Sequence, residues 1–264
     1  MKIDLTGRIA VITGSSDGIG YACAQALAGA GAEVVINGRS DATVQAALAR
    51  LREAVPGAAF RGVAGDLSSR EGPARIIAAA PRCDILINNC AVNNLQDVLE
   101  EPDEMFLRLF EINFLSGLRL TRHYLPQMLE RNRGRVIFHN SEQSLRPSPQ
   151  MAAYGASKAA ELTLARSIAE YTRGTAVTVN TILIGPTRSA VTGALHRQMA
   201  QEQGRTVAEI EADFIRHVRP ASLIHRIADA SEVANLAVYL CSDFASATNG
   251  AVLSAEGGTR EVVF

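Results

Sequence analysis

Short runs of apolar, often β-branched residues alternate along this chain with longer alanine-rich stretches whose apolar positions recur every three to four residues. The first kind predicts strands at residues 8–13, 33–37, 59–63 and 83–88, and the second predicts helices at 21–30 and 41–54. The same rhythm continues with strands at 134–140, 176–183 and 250–254, separated by helices at 103–131, 152–173 and 229–242. Strands that alternate with helices pair in parallel, because parallel neighbours need crossover connections, and the crossovers cover both faces of the sheet. One stretch breaks the rhythm. Residues 190–222 are polar and helix-prone with no strand partner, the pattern of an insertion that covers a substrate.

Composition narrows the field of functions. A chain of 264 residues, 47% hydrophobic and 20% charged, is expected to form a single domain over 1–264. The net charge of −1, with no basic stripe or tail, argues against a nucleic-acid partner. No apolar run approaches the roughly 20 residues that a membrane span needs, and the first residues lack the pattern of a secretory leader, so a cytoplasmic protein without a membrane partner is expected. Cys23, Cys83, Cys90 and Cys241 contain no C-x-x-C pair. They are read as reduced, space-filling thiols, and no metal is expected.

Two motifs carry chemistry. Thr13-Gly14-Ser15-Ser16-Asp17-Gly18-Ile19-Gly20 lies where the first strand meets the first helix. Glycines there let the backbone approach a pyrophosphate, and the helix N-terminus offers unpaired N–H groups and the positive end of its dipole. The expected architecture is therefore an α/β, doubly wound, Rossmann-type parallel sheet of about seven strands with helices on both faces. The second motif is Tyr154-x-x-x-Lys158, four residues apart and so on one helix face. Of 26 cationic side chains only Lys2 and Lys158 are lysines, so a chain that otherwise uses arginine places a lysine beside this tyrosine. A slim ammonium can reach a phenol and cofactor hydroxyls together, which a planar guanidinium does less well. A phenol of ordinary pKa, about 10, is ionised in only about one molecule per thousand at pH 7. An ammonium about 4 Å away favours ionisation by up to roughly 4 kcal/mol, enough to make such a phenol a working acid and base.

With these motifs in place, the whole chain resembles a short-chain dehydrogenase/reductase of the single-domain type. The family's phosphate loop matches Gly14, Gly18 and Gly20, its Asn-Asn-Ala-Gly strand end resembles Asn88-Asn89-Cys90-Ala91, and its helix asparagine falls at Asn113. The resemblance implies a hydride-transferring oxidoreductase acting on a ketone or secondary alcohol. Tyr154 would be the general acid and base, Ser141 would hold the substrate oxygen, Lys158 would serve Tyr154 and the cofactor, and Asn113 would order a water linking Lys158 to solvent. Cofactor contacts are implied at Gly14, Ser15, Ser16, Gly18, Ile19, Gly20, Asn37, Arg39, Asp66, Leu67, Asn88, Cys90, Tyr154, Lys158, Gly185 and Thr187. Asp66 has a second reading as the cap of a helix beginning near Ser68. The sequence departs from the family pattern at Ala91, Asn140, Ile184 and Glu256, none of which removes a catalytic group.

The resemblance leaves the substrate open, because the pocket and not the fold decides the molecule. Val92, Asn93 and the loop 142–151, with Gln143 and Met151, are expected to line the pocket together with residues 190–222, and Arg146 and Arg188 are candidate anchors for an anionic group. NADP is expected over NAD: Gly38 stands where an acidic residue commonly accepts the ribose 2′-hydroxyl, and Arg39 follows it with a guanidinium suited to a 2′-phosphate. Asn37 and Ser15 would assist as neutral donors, whereas Asp17 would oppose the phosphate if it pointed inward. A symmetric homo-oligomer, a tetramer or dimer, is implied by the family alone. The alternative to an enzyme is a catalytically idle cofactor-binding sensor or scaffold on the same fold.

Overall fold

The computed structural model describes residues 2–261. Seven strands, β1 (Ile9–Ile12), β2 (Glu33–Gly38), β3 (Phe60–Ala64), β4 (Ile85–Asn88), β5 (Gly134–Ser141), β6 (Val177–Ile184) and β7 (Val252–Ala255), pair in parallel in the order β3-β2-β1-β4-β5-β6-β7. Alternate side chains feed opposite layers. Ile12, Ile36, Ile87, Ile137 and Ile182 pack with α1 (Gly18–Gly29), α2 (Asp41–Ala54) and α9 (Ala230–Cys241). Val11, Val35, Leu86, Val136 and Phe138 pack against α3 (Glu71–Ala79), α5 (Ser116–Glu130) and α6 (Ala152–Ala169). Both faces are thus buried, which is why the strands read as near-continuous apolar runs. The order reverses between β1 and β4, and the cleft at the carboxyl ends of these two strands is where such sheets take ligands.

The structure corrects two expectations and gives the insertion its form. The helix expected over 103–131 is α4 (Asp103–Phe110), a π-helical turn Glu111–Leu115, and then α5. Hydrophobic periodicity cannot register one inserted residue, yet this turn carries Asn113. No helix begins near Ser68; α3 begins at Glu71, and Asp66 instead closes a local turn by accepting from the Ser68 N–H at 2.9 Å. Residues 190–222 contain two helices, α7 (Ala190–Gln203) and α8 (Val207–Val218), each entered through a reciprocal capping box, Ser189 with Thr192 and Thr206 with Glu209. No described helix is long and apolar enough to cross a membrane, and the described residues form no metal-binding cluster.

The amino ends of β1 and β5, opposite the cleft, are held by charge. Arg8, entering β1, and Arg135, entering β5, are both buried and share the Asp243 carboxylate, at 2.6 and 3.3 Å. The two guanidinium groups hold Asp243 below the usual carboxylate range, through the Arg8 hydrogen bond first. Asp243→Asn leaves two buried cations without a counter-ion, but the carboxylate itself is exposed, so the expected cost is only about 1–2 kcal/mol. Calorimetry should show a melting temperature lower by roughly 2–8 °C. Cofactor affinity, read by nicotinamide fluorescence, should stay unchanged, because the pair lies at the far end of the strands.

Candidate active site

The loop from Thr13 to Gly20 is locked from both flanks. Gly14 and Gly18 both adopt φ +58°, which a side chain would disfavour. A Cβ at Gly20 would stand 2.6 Å from the Gly14 carbonyl and 2.8 Å from Ser15 Cα, so the loop folds onto the first turn of α1 only because nothing occupies that space. On one flank the Asn37 carboxamide accepts from the Gly14 N–H at 3.1 Å and donates to the Gly65 carbonyl at 3.0 Å. On the other, Asn89 donates to the carbonyls of Thr13 at 2.8 Å and Gly14 at 3.0 Å, while Thr13 Oγ1 accepts from the N–H groups of Asn89 and Cys90. The entry to α1 is left without a side-chain cap, since Asp17 is exposed and makes no capping hydrogen bond. Side-chain-free backbone, a fixed loop and uncapped N–H groups fit a dinucleotide pyrophosphate.

This geometry changes the parts assigned to several residues. Ser15 is fully buried, with its hydroxyl donating to the Ile12 carbonyl at 2.7 Å and accepting from the Asn37 N–H at 2.9 Å. Ser15 and Asn37 therefore shape the loop, and their side chains are not free donors for a 2′-phosphate. Ser16 is better placed, since a Cβ on Gly38 would lie 3.1 Å from its hydroxyl and 3.1 Å from that of Thr43. Gly38 is itself buried and closely packed, since a Cβ there would also meet Val44 Cγ2 at 3.0 Å, so no acidic side chain is accommodated at its place, and exposed Arg39 follows it. Arg50, which local pattern does not single out, reaches across from α2 to donate to the Ser16 carbonyl at 2.8 Å and stacks over Tyr21. Ile19 is half-buried in the first turn of α1. Leu67 is buried in the core, so only its backbone is available to a cofactor. Asn88 is buried and donates to Thr121 Oγ1 at 3.2 Å. Asp66 is exposed, and its carboxyl is held below the usual range chiefly by the Ser68 backbone N–H. Across the cleft, Gly185 passes so close to β7 that a Cβ would meet Glu256 Cα at 2.7 Å, and Thr187 Oγ1 donates to the Gly185 carbonyl at 3.0 Å.

The catalytic candidates converge from β5, α6 and the π turn. Ser141 ends β5, where its Oγ accepts from the Gln143 N–H at 3.2 Å and keeps its own proton available. Gly155 lets α6 approach this corner, since a Cβ there would stand 3.0 Å from the Gln143 carbonyl. Tyr154 is half-buried, and Lys158, one turn further into the helix, is 1% exposed. Lys158 Nζ donates to the His139 carbonyl and to Glu161 Oε2, both at 2.8 Å. Asn113 is buried; its carboxamide accepts from the Val92 N–H at 2.8 Å and donates to the Val92 carbonyl at 2.9 Å and Ser157 Oγ at 3.0 Å. With both amide atoms occupied by protein, Asn113 acts on the loop that carries Val92. Burial lowers His139 to about 3, with the Lys158 charge adding to the effect, so it is neutral; burial raises the Cys90 thiol to about 11.

The substrate side divides. Val92 and Asn93 are exposed, and Met151 is half-buried at the start of α6. Gln143 is buried, and its Oε1 accepts from the Ser148 N–H at 3.1 Å, closing its own loop. Arg146 donates to the Thr259 carbonyl at 3.2 Å. Arg188 pairs in bidentate fashion with Glu211 of α8, at 2.6 and 3.1 Å, and with Asp229 at 2.8 Å. It ties the α7–α8 insertion to the body and is not a free anion anchor, a correction that follows from two carboxylates competing for the same guanidinium. Glu142, expected only as part of the loop that walls the pocket, is buried beside Ser141, where it pairs with Arg219 at the end of α8 and accepts from Thr259 Oγ1. Those partners lie 77 and 117 residues away, beyond the reach of local pattern.

Comparison with known proteins agrees with this geometry. Residues 8–200 match the family described as short chain dehydrogenase. The oxidoreductase YvaG of Bacillus subtilis is 40% identical over 264 residues, covering 100% of both chains. Among solved structures, the L-sorbose reductase of Gluconobacter frateurii, complexed with NADPH and L-sorbose, superposes with a TM-score of 0.92 at 26% identity, with 100% of each chain covered. A short chain oxidoreductase of Pseudomonas aeruginosa with bound NADPH gives 0.87 at 28% identity, covering 99% of this chain and 100% of that one. The chain belongs to the short-chain dehydrogenase/reductase family and is an NAD(P)-dependent oxidoreductase.

Proposed function

We propose that this protein interconverts a ketone and a secondary alcohol, using NADP in preference to NAD, with Tyr154 as the proton donor and acceptor. The observation that carries the reading is the buried ammonium of Lys158 one helical turn from Tyr154, at the same end of the sheet as Ser141 and the glycine loop. A bound nicotinamide would supply or take up the hydride, and the glycine loop with the ends of β4 and β6 would hold it. Ser141 Oγ already accepts from Gln143 N–H, so its own O–H is free to hold the substrate oxygen. Tyr154 gives its proton to that oxygen in reduction and recovers it in oxidation, and the neighbouring ammonium eases both transfers. Val92, Asn93 and Met151 form the near wall, Gln143 and Arg146 support it, and the α7–α8 insertion roofs it. Support for NADP comes from Gly38, whose close packing leaves no room for an acidic side chain, from exposed Arg39 beside it, and from NADPH in both related structures. We place the protein in the cytoplasm as a homodimer or homotetramer, in keeping with its family.

Turnover of a panel of ketones and alcohols, followed by nicotinamide absorbance, tests the reaction. Tyr154→Phe is expected to reduce kcat by about 10²–10⁴-fold while cofactor affinity persists. Cofactor binding with no turnover by the wild type would point instead to a sensor.

The cofactor assignment has its own measurement. In Arg39→Ala, the ratio of kcat/KM with NADP to that with NAD should fall by about 10- to 100-fold, as expected for losing a charge-assisted hydrogen bond of roughly 1.5–3 kcal/mol. An unchanged ratio removes Arg39 from the 2′-phosphate.

A further inference from the structure

An ammonium taken out of water is costly unless an anion and hydrogen bonds replace its hydration. Ser141 and Asn113 are neutral and cannot serve as that anion. The carboxylate that meets Lys158 belongs to Glu161, one turn further along α6, with side-chain exposures of 1% for the lysine and 3% for the glutamate. Glu161 Oε2 also accepts from Asn140 Nδ2 at 2.9 Å, and the same Nδ2 donates to the Lys158 carbonyl at 2.8 Å. These are the carboxylate's only partners among the described residues. A buried ion pair on an alanine-rich helix contributes little to stability that apolar packing would not, which favours a reason tied to the reaction.

We propose that Glu161 is a positioning residue of the catalytic centre: the buried counter-ion that keeps Lys158 an ammonium and, with the His139 carbonyl, fixes two of its three N–H bonds. The third remains for a group in the cleft. The inference rests on the reading of Tyr154 and Lys158 as catalytic. Around the ammonium stand Tyr154 and Glu161 from α6, His139 and Asn140 from β5, and Cys90 from the segment after β4. Neutral His139 and the un-ionised Cys90 thiol leave the charge balance to Lys158, Glu161 and the phenol. Burial pushes Lys158 down, but the charge of Glu161, then Tyr154, and the Glu161 hydrogen bond outweigh it and hold the group above the ordinary lysine range. Burial also raises Glu161, against the pull of Lys158 and Asn140. Asn140 thus has a definite part: it orients the counter-ion.

The chain has only two lysines, so protein labelled with ¹⁵Nζ-lysine and saturated with NADP⁺ gives one ammonium signal from Lys2 and one from buried Lys158. Glu161→Gln keeps an oxygen that can accept from Nζ but removes the charge. Its Lys158 signal should be lost at a pH lower by about one unit or more than in the wild type. The alkaline limb of the turnover profile should move to lower pH by the same one unit or more, with KM for the carbonyl little changed. Glu161→Asp, which restores the charge, should recover part of both shifts. Should the amide variant fail to fold, Glu161→Met, apolar and of similar length, must show the same early loss of the signal. A Lys158 titration in Glu161→Gln or Glu161→Met that overlays the wild type overturns the proposal. Because the nitrogen signal needs no substrate, a wild type that turns over no carbonyl sinks the functional reading, while the counter-ion assignment still stands or falls on the titration.

Discussion

The ammonium of Lys158, held in a site almost without water, is the constraint on which the catalytic end of this molecule depends. It is accommodated because β5 offers the His139 carbonyl and α6 offers Glu161, so the register of one helix against one strand determines whether a charge can exist there. Gly155 lets the helix come close enough to the strand end for this, and Asn140 ties the carboxylate to the strand. A small shift of α6 would leave the charge unpaired inside the protein, so packing precision and chemistry are the same requirement here.

The sheet divides its labour between its two edges. At the carboxyl ends, glycines and carboxamides replace bulk: Asn37 and Asn89 grip the Gly14–Gly20 loop from either side. At the amino ends, buried Arg8 and Arg135 meet on the Asp243 carboxylate. The insertion belongs to the first edge. Its α8 helix is fastened to Arg188 through Glu211, and Arg219, just beyond its last turn, to Glu142, so the insertion is tied directly to the residue that follows Ser141. Arginine suits both fastenings because its planar fork engages a carboxylate with defined geometry.

Local pattern by itself determined the alternation of strands and helices, the glycine loop where β1 meets α1, and the Tyr154–Lys158 pair. Each of these is written in a period of two or in neighbours within one helical turn, and backbone sterics convert such spacings into geometry without outside help. Tertiary structure decided what depends on partners far apart in the chain. It made Arg188 a strut, Ser15 and Asn37 the inner bracing of the loop, and Glu142 a buried anchor. It also set the π turn that swings Asn113 onto Val92. Glu161 lies between the two cases: its spacing from Lys158 is visible in the sequence. A carboxylate three residues from a lysine is commonplace on an exposed helix, and only its burial, which the packing of α6 on β5 imposes, turns a weak surface pair into the counter-ion of a dry ammonium.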